Sequence, residues 1–353
     1  MESHQNSANL IVPILVLFCF PIVSSHGDHA HWPTDRRLLI MSFDGFRPDY
    51  LTRLREYTDK NESVTNHFDE LIKHGTHAPS GIHNVFTTST FPNHYSIVTG
   101  LYEESHGIVG NLFWDPDTNK TVLYPRDAQY YSGVPIWNLY AKQRDKAKVA
   151  CFGWVGCGLN INNYSIPAAV PYHSDATCDE HVNLLINWIR ADVQLMLIYF
   201  HEPDASGHQF GPDAVEILQV LIELNECLGR ILTVLESLNV WPDHGEILIV
   251  SDHGMQNIER TVKVPENDDL YTIRSLTYIL AQIDPKPGKE AEGLAALQAI
   301  DGSTTYRKSD IPDRWHYRNN KRIRELMVVA DGGVALSSDD QPVSPTCIWH
   351  FVF

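Results

Sequence analysis

The chain has 353 residues, of which 43% are hydrophobic and 20% charged, and this composition excludes a disordered or low-complexity protein. The length fits one large α/β domain, or at most two domains. Lysine and arginine total 27 against 44 acidic residues, and the formal net charge of -17 argues against a nucleic-acid-binding face.

The N-terminal segment has the pattern of a secretory signal peptide. Leu10 to Val23 form an apolar stretch that is shorter than a membrane-spanning helix and matches a signal-peptide core. Val23 and Ser25 suit the -3 and -1 positions of a cleavage site, while the residues before Leu10 include no lysine or arginine. We predict a signal peptide at residues 1–25, with an uncleaved anchor as the alternative, no membrane span after it, and a secreted or extracellular-surface location.

Two further features agree with export. Sequons at Asn61, Asn119 and Asn163 are acceptors for N-glycosylation. Beyond the signal peptide the number of cysteines is odd, so in an oxidising compartment one thiol stays unpaired or pairs with another chain. These cysteines are Cys151, Cys157, Cys178, Cys227 and Cys347.

Four short apolar stretches predict the buried strands of a mostly parallel sheet. Continuous β-branched and leucine-rich stretches, without polar alternation, are typical of strands that are buried on both faces. A helix predicted from Pro212 to about Leu238 lies between the last two strands and completes a βαβ unit. The predicted strands are Arg37–Phe43, Lys148–Phe152, Leu195–Phe200 and Glu246–Val250.

Acidic residues and histidines follow three of these strands. Ligands of an open parallel sheet bind at the carboxyl ends of the strands, so these side chains are expected to meet at one edge. A single aspartate there is often only a helix cap or a turn residue, but a set of carboxylates and imidazoles predicts a zinc site, with manganese or cobalt as substitutes. The set comprises Asp44, Glu202, Asp204, His208, Asp252 and His253.

Thr90 is the candidate nucleophile. It precedes Phe91 and Pro92, which predicts that Thr90 is the N-cap of a helix. The N-terminus of a helix also stabilises an alkoxide and a bound phosphate. Because a threonine hydroxyl is a poor nucleophile at neutral pH unless a base or a metal activates it, the predicted metal ligands on the same sheet would supply that activation.

Together these motifs resemble those of the ectonucleotide pyrophosphatase/phosphodiesterase family, which belongs to the alkaline phosphatase superfamily. The resemblance extends from about Arg37 to Ala330, and it implies an alkaline-phosphatase-like α/β core with helices on both faces of the sheet. It divides the rest of the chain into a catalytic domain at 26–333 and a divergent tail at 334–353. The motifs that carry the resemblance are Asp44–Arg47, Thr90–Tyr95, Thr99–Ile108, Glu202–Asp204, Gly207–His208, Ser251–Met255, His316–Tyr317 and Asn319–Ile323.

The resemblance also implies roles for single residues. Thr90 matches the nucleophile that forms a phosphothreonyl intermediate, and Asn111 matches an asparagine that donates to a phosphoryl oxygen. Phe91 matches the aromatic that packs on the leaving group or base. The family commonly has a tyrosine on the other side of the base, whereas this chain has small apolar residues at Ile166–Val170, and Tyr172 is the candidate replacement. Two metals about 4 Å apart can clamp the attacking and leaving oxygens. The implied ligands are Asp44, Thr90, Asp252 and His253 for one zinc, and Asp204 and His208 for the second.

One departure concerns the second zinc. In the family a further histidine ligand comes from a Gly-Asp/Thr-His-Gly segment, which residues 334–353 do not contain; His350 has different surroundings. We therefore expect a C-terminally incomplete domain whose second zinc site lacks one ligand.

The expected function is that of an extracellular, metal-dependent nucleotide pyrophosphatase/phosphodiesterase. It would hydrolyse phosphodiester or pyrophosphate bonds and release nucleoside monophosphates through the phosphothreonyl intermediate. Two alternatives stay open from the sequence. One is a choline or lysophospholipid phosphodiesterase that uses the same site, and the other is a catalytically impaired secreted variant that lacks the last zinc ligand.

Overall fold

The computed structural model describes residues 16–19, 36–61, 64–144 and 147–338. The strands are β1 (Val16–Cys19), β2 (Arg37–Phe43), β3 (Thr76–His77), β4 (Leu112–Asp115), β5 (Lys120–Leu123), β6 (Val149–Phe152), β7 (Ala168–Val170), β8 (Leu195–Phe200), β9 (Gly245–Val250), β10 (Arg260–Lys263), β11 (Tyr271–Leu276), β12 (Leu280–Pro285), β13 (Ser303–Arg307), β14 (Leu326–Ala330) and β15 (Val334–Ser337). The helices are α1 (Asp49–Lys60), α2 (His67–His74), α3 (Thr90–Thr99), α4 (Glu103–His106), α5 (Ile136–Gln143), α6 (Cys178–Arg190), α7 (Asp204–Phe210), α8 (Val215–Ser237) and α9 (Glu290–Gln298).

The predicted α/β fold with a mostly parallel sheet is confirmed. The central sheet has the strand order β3-β1-β9-β2-β8-β6-β7. Strands β9, β2, β8, β6 and β7 run parallel to one another, whereas β1 is antiparallel to both β3 and β9. All four predicted strands are present within one residue of their expected bounds, and the predicted helix corresponds to α8.

Both faces of the central sheet are covered, as expected for strands without polar alternation. Successive side chains of a strand point to opposite faces. Accordingly, Leu39, Met41 and Phe43 of β2 pack with α1, α2, α6 and α8. Ile40 points to the other face, into the cluster that includes α3, α5 and a second sheet. The continuous apolar stretch therefore serves two hydrophobic cores.

The second sheet is antiparallel, with the strand order β11-β12-β14-β13. The sequence patterns above did not predict it. Two smaller pairs complete the described strands, namely the β4–β5 hairpin and the parallel pair β10–β15. Strand β15 is buried and comes from the first residues of the predicted tail 334–353, whose positions 339–353 lie outside the described residues.

Two disulfides join four of the five cysteines that follow the predicted signal peptide. Cys151 pairs with Cys157 and Cys178 pairs with Cys227. Cys347 lies outside the described residues, as does the predicted signal peptide 1–25 apart from β1. No helix in the described part of the chain is long and apolar enough to cross a membrane.

Candidate active site

The carboxyl ends of three central strands bring acidic residues to one place. Asp44 follows β2, Asp204 begins α7 shortly after β8, and Asp252 follows β9. Strands β8 and β9 both pair with β2, so their ends lie on either side of Asp44. The backbone N–H of Asp204 donates to the carbonyl oxygen of Asp44 at 3.0 Å. The parallel topology thus assembles acids that lie far apart in the sequence.

Asp44, Asp252 and His253 form a buried group that can hold a metal ion. One ligand atom from each lies within 4.8 Å of the others. His253 Nε2 lies 3.3 Å from Asp44 Oδ1 and 3.1 Å from Asp252 Oδ2, and all three side chains are at most 1% exposed. His253 Nδ1 lies 3.1 Å from the carbonyl oxygen of Gly254. Because a carbonyl oxygen can only accept a hydrogen bond, the ring proton lies on Nδ1. The lone pair of Nε2 then points toward the two carboxylates.

This arrangement fits a cation. Asp44 Oδ1 and Asp252 Oδ2 are buried and have no hydrogen-bond partner among the described residues. Burial and the nearby Asp252 and Asp204 raise the pKa of Asp44 well above its usual range. Burial, followed by the charge of Asp204, likewise raises the pKa of Asp252. His253 Nε2, Asp44 Oδ1 and Asp252 Oδ2 are acceptor atoms that face one another in a buried site, and a positive charge between them would stabilise this arrangement. One imidazole with two carboxylates is a ligand set typical of zinc.

Thr90 lies beside this group, at the N-terminus of α3. Its Oγ1 is 3.5 Å from His253 Nε2. The prediction that Thr90 is the N-cap is wrong by one residue. Ser89 has the extended backbone of an N-cap, with φ -138° and ψ 149°, and Thr90 is the first helical residue. The threonine hydroxyl is therefore not used for capping and is placed where the helix dipole favours negative charge.

Asn111 and Phe91 are joined next to Thr90. Asn111 Oδ1 accepts a hydrogen bond from the backbone N–H of Phe91 at 2.8 Å. This bond fixes the orientation of the side-chain amide and leaves its nitrogen to donate elsewhere. The structure thus brings the predicted phosphoryl-binding asparagine to the first turn of α3.

Asp204 and His208 lie one turn apart on α7. His208 Nε2 is 3.1 Å from Asp204 Oδ2. Asp204 packs against the turn that follows Asp44, where Gly45 has a φ of +66° and a Cβ atom would lie 3.0 Å from Asp204 Oδ1. Gly45 also donates its N–H to Asp252 Oδ1 at 3.2 Å. A glycine is needed here because both the close approach and the positive φ exclude a side chain, and the turn places the two predicted ligand groups side by side.

Sequence reasoning gave no role to two residues that support these groups. The hydroxyl of Tyr199 donates to Asp44 Oδ2 at 2.5 Å. His94 Nδ1 lies 2.8 Å from the carbonyl oxygen of Thr90, and its Nε2 lies 2.8 Å from Ser42 Oγ. His94 lies four residues after Thr90 in the Thr90–Tyr95 motif, and this helical spacing could have placed it beside Thr90 from the sequence alone. Tyr199 lies within the apolar stretch of β8, where no sequence feature indicates a contact with Asp44.

A cavity of about 530 Å³ opens onto Thr90 and Asp44. Aromatic side chains form much of its wall, including Phe91, Tyr172 and Tyr199. Tyr172 is 44% exposed, and its ring centroid lies 5.5 Å from that of Tyr199. Both aromatic residues predicted to contact a substrate base, Phe91 and Tyr172, therefore line the same cavity as the candidate nucleophile.

Comparison with known proteins identifies the family of this chain. The model of the Type I phosphodiesterase / nucleotide pyrophosphatase family matches residues 38–350. The chain belongs to this family. It is 33% identical over 332 residues to human ectonucleotide pyrophosphatase/phosphodiesterase family member 5, a match that covers 91% of this chain and 67% of the relative. It is also 33% identical over 338 residues to a bis(5'-adenosyl)-triphosphatase of Xenopus laevis, covering 93% and 71% of the two chains.

Solved structures agree with this membership. The murine family member 5 superposes with a TM-score of 0.79 at 31% identity, covering 89% of this chain and 84% of that one. An inactive threonine-to-alanine variant of the murine protein, solved in complex with AMP, gives a TM-score of 0.77 at 32% identity, with coverage of 85% and 80%. The fold is therefore alkaline-phosphatase-like, as the sequence motifs predicted, and the chain is a phosphodiesterase/nucleotide pyrophosphatase of the hydrolase class.

Proposed function

We propose that this chain is an extracellular, zinc-dependent nucleotide pyrophosphatase/phosphodiesterase that releases nucleoside monophosphates through a covalent intermediate on Thr90. The proposal rests mainly on one observation. The hydroxyl of Thr90 stands at a helix N-terminus, 3.5 Å from the imidazole nitrogen of the buried Asp44, Asp252 and His253 group. A nucleophile and an anion-stabilising site thus coincide with a donor set for a metal.

The proposed reaction proceeds by two displacements at phosphorus. Thr90 Oγ1 attacks the scissile phosphorus and loses its proton, the bond to the leaving group breaks, and a phosphothreonyl ester of the nucleoside forms. Water then attacks the same phosphorus, which releases the nucleoside monophosphate and returns the threonine hydroxyl. The positive end of the α3 dipole and the amide nitrogen of Asn111 would stabilise the phosphoryl oxygens, whose negative charge grows in each transition state.

Metal ions would supply the activation that the threonine cannot provide alone. Bound zinc lowers the pKa of a coordinated hydroxyl or water and neutralises charge on the phosphoryl oxygens. Asp44, Asp252 and His253, with Thr90, would hold one ion. Asp204 and His208 would hold a second. His350 lies outside the described residues.

The aromatic wall of the cavity supports a nucleotide as the substrate. Phe91 and Tyr172 would bind the two faces of the base, since aromatic rings contribute about 1–3 kcal/mol per stacked base. Two relatives point to the same chemistry, because one is named a bis(5'-adenosyl)-triphosphatase and an inactive variant of another was solved with AMP.

Two disulfides and three glycosylation sequons with exposed asparagines agree with an extracellular location. The disulfides Cys151–Cys157 and Cys178–Cys227 are of a kind that persists in oxidising compartments. The asparagines of the three sequons, Asn61, Asn119 and Asn163, are exposed. We therefore propose glycosylation at these positions and secretion or display at the cell surface.

Substitution of Thr90 tests the proposal. Thr90→Ala should abolish hydrolysis of 4-nitrophenyl thymidine 5'-monophosphate, whereas Thr90→Ser should retain part of it because the hydroxyl survives. Thr261→Ala, an exposed change on β10, is the matched control and should leave the rate unchanged. Acid quenching during turnover, followed by mass spectrometry, should detect a thymidylyl group on the peptide that contains Thr90. Full activity of Thr90→Ala would refute the covalent mechanism. The wild-type chain is also assayed with 4-nitrophenyl phosphocholine, and activity on that ester alone would refute the nucleotide assignment.

A further inference from the structure

The cavity beside Thr90 contains a single positively charged side chain among the described residues that line it. That residue is Arg126. The acidic residues of the lining, Asp44 and Asp204, belong to the proposed metal groups. A nucleotide with phosphates beyond the scissile one carries additional negative charge, which these acids cannot bind. Arg126 is the described lining residue whose charge matches that part of a substrate.

Arg126 differs from those arginines of this acidic chain whose charge is already paired. Arg47 pairs with Asp49, and Arg322 pairs with Asp115. The side chain of Arg126 is exposed and forms no ion pair or hydrogen bond with any described residue. Its planar guanidinium therefore keeps five N–H donors for a ligand, and their geometry suits two phosphate oxygens at once.

The backbone next to Arg126 is fixed relative to the candidate site. Tyr124 donates its N–H to the carbonyl oxygen of Asn111 at 2.7 Å. The Pro125 carbonyl accepts a hydrogen bond from the Tyr131 hydroxyl, also at 2.7 Å. Tyr124 has a φ of 46°, a left-handed conformation that is unfavourable for a non-glycine residue and that the two hydrogen bonds help to hold. The arginine is thus presented from an ordered turn attached to Asn111.

We propose that Arg126 binds a phosphate group of the substrate on the leaving-group side of the scissile bond. It then selects substrates with a pyrophosphate linkage, such as nucleoside triphosphates or dinucleoside polyphosphates, over simple esters of a nucleoside monophosphate. This inference rests on the proposed function of the site, because it assumes that Thr90 attacks a nucleotide phosphate in the same cavity. It adds a residue that decides which leaving group is preferred.

A matched pair of substrates isolates the contribution of Arg126. Thymidine 5'-triphosphate and 4-nitrophenyl thymidine 5'-monophosphate share the nucleoside and the scissile phosphate, and they differ in the leaving group. We expect Arg126→Ala to lower the ratio of their kcat/KM values, triphosphate over ester, by about five- to tenfold. Arg126→Lys should retain most of the ratio because the charge is kept. Arg190→Ala, which removes an exposed arginine at the end of α6, is the control and should leave the ratio unchanged.

The outcomes separate this inference from the proposed function. If both compounds are hydrolysed and Arg126→Ala leaves the ratio at the wild-type value, the assignment of Arg126 is wrong while the proposed function stands. An equal fall of the ratio in Arg190→Ala would also overturn the assignment, because it would reveal a general effect of net charge. If the wild-type chain hydrolyses neither compound, the proposed function and the inference fall together. Raising the salt concentration should lower the ratio in wild type more than in Arg126→Ala.

Discussion

We expect the substitution Glu103→Gln to stabilise the fold above pH 7 and to change its stability little near pH 4.5. Glu103 begins α4 and is 0% exposed. Its Oε1 accepts hydrogen bonds from the N–H of Thr87 at 2.8 Å and from Thr87 Oγ1 at 2.9 Å. Its Oε2 is buried and has no hydrogen-bond partner among the described residues. Burial raises the pKa of Glu103 from the ordinary 4.5 to about 7, although the bonds from Thr87 act in the opposite direction.

The magnitude follows from the difference between the folded and unfolded pKa. Below pH 4.5 the carboxyl group is protonated in both states, so it makes no difference to the free energy of unfolding. Between pH 4.5 and 7 the unfolded chain loses the proton while the folded chain keeps it, and stability falls as the pH rises. At 1.36 kcal/mol per pKa unit, the loss reaches about 3 kcal/mol above pH 7. Glutamine resembles the protonated acid and keeps the acceptor for Thr87, so the variant avoids this loss.

Thermal unfolding of wild type and Glu103→Gln between pH 5 and 8.5 measures the effect. We expect nearly equal midpoints at pH 5 and, at pH 8, a midpoint about 6 °C higher in the variant, using about 2 °C per kcal/mol for a chain of this size. Glu236→Gln, an exposed change in α8, should follow wild type throughout. A gap between wild type and Glu103→Gln that does not change with pH would refute the reasoning, as would a variant less stable than wild type at pH 8.

Two further predictions concern the candidate metal group. Asp252→Asn should lower bound zinc by about one equivalent per chain, because the amide removes a buried charge from the group, and elemental analysis that finds an unchanged zinc content would contradict the ligand assignment. Tyr199→Phe should weaken zinc binding by about tenfold, because Asp44 Oδ2 loses the donor that orients it. Competition with a zinc-binding dye measures the affinity, and an unchanged affinity would show that the tyrosine does not orient Asp44.

The central sheet was predictable because its strands are strongly apolar. Strands β2 and β8 are continuous hydrophobic stretches, and such a pattern has few alternatives besides a strand buried on both faces. The second sheet lacks that signal. Strand β13, with the sequence STTYR, is mostly polar, and it pairs with β14, which follows it only after a long connection. Antiparallel strands of this kind are decided by long-range pairing, which no local pattern records.

The acids of the site were predictable for a different reason. In a parallel sheet the residue that follows a strand has a known position, so the sequence alone was enough to place Asp44 and Asp252 together. The N-cap of α3 was predicted one residue late because serine and threonine are both common N-caps, and the backbone angles of Ser89 decide between them. Tyr199 reaches Asp44 because β8 lies beside β2 in a register that pairs it with Ser42. A register of this kind cannot be derived from either strand alone.

The late segment around Arg322 shows how residues remote from the cavity hold the site together. The Arg322 guanidinium donates to Asp115 at 2.9 Å and to the carbonyl oxygens of Gly107 and Tyr130 at 2.6 and 2.7 Å. Just before it, the hydroxyl of Tyr317 donates to the carbonyl oxygen of Val109 at 2.5 Å.

These bonds reach the segment that leads to Asn111, the residue that is hydrogen-bonded to Phe91 beside the candidate nucleophile. The charges of Arg322 and Asp115 are buried, so removing either one would leave the other uncompensated at a cost of several kcal/mol. The segment that follows strand β13 thus contributes to the site without lining its cavity. Tyr317 and Arg322, which belong to motifs that resembled the family in the sequence, act here through hydrogen bonds that fix the backbone from which Asn111 reaches α3.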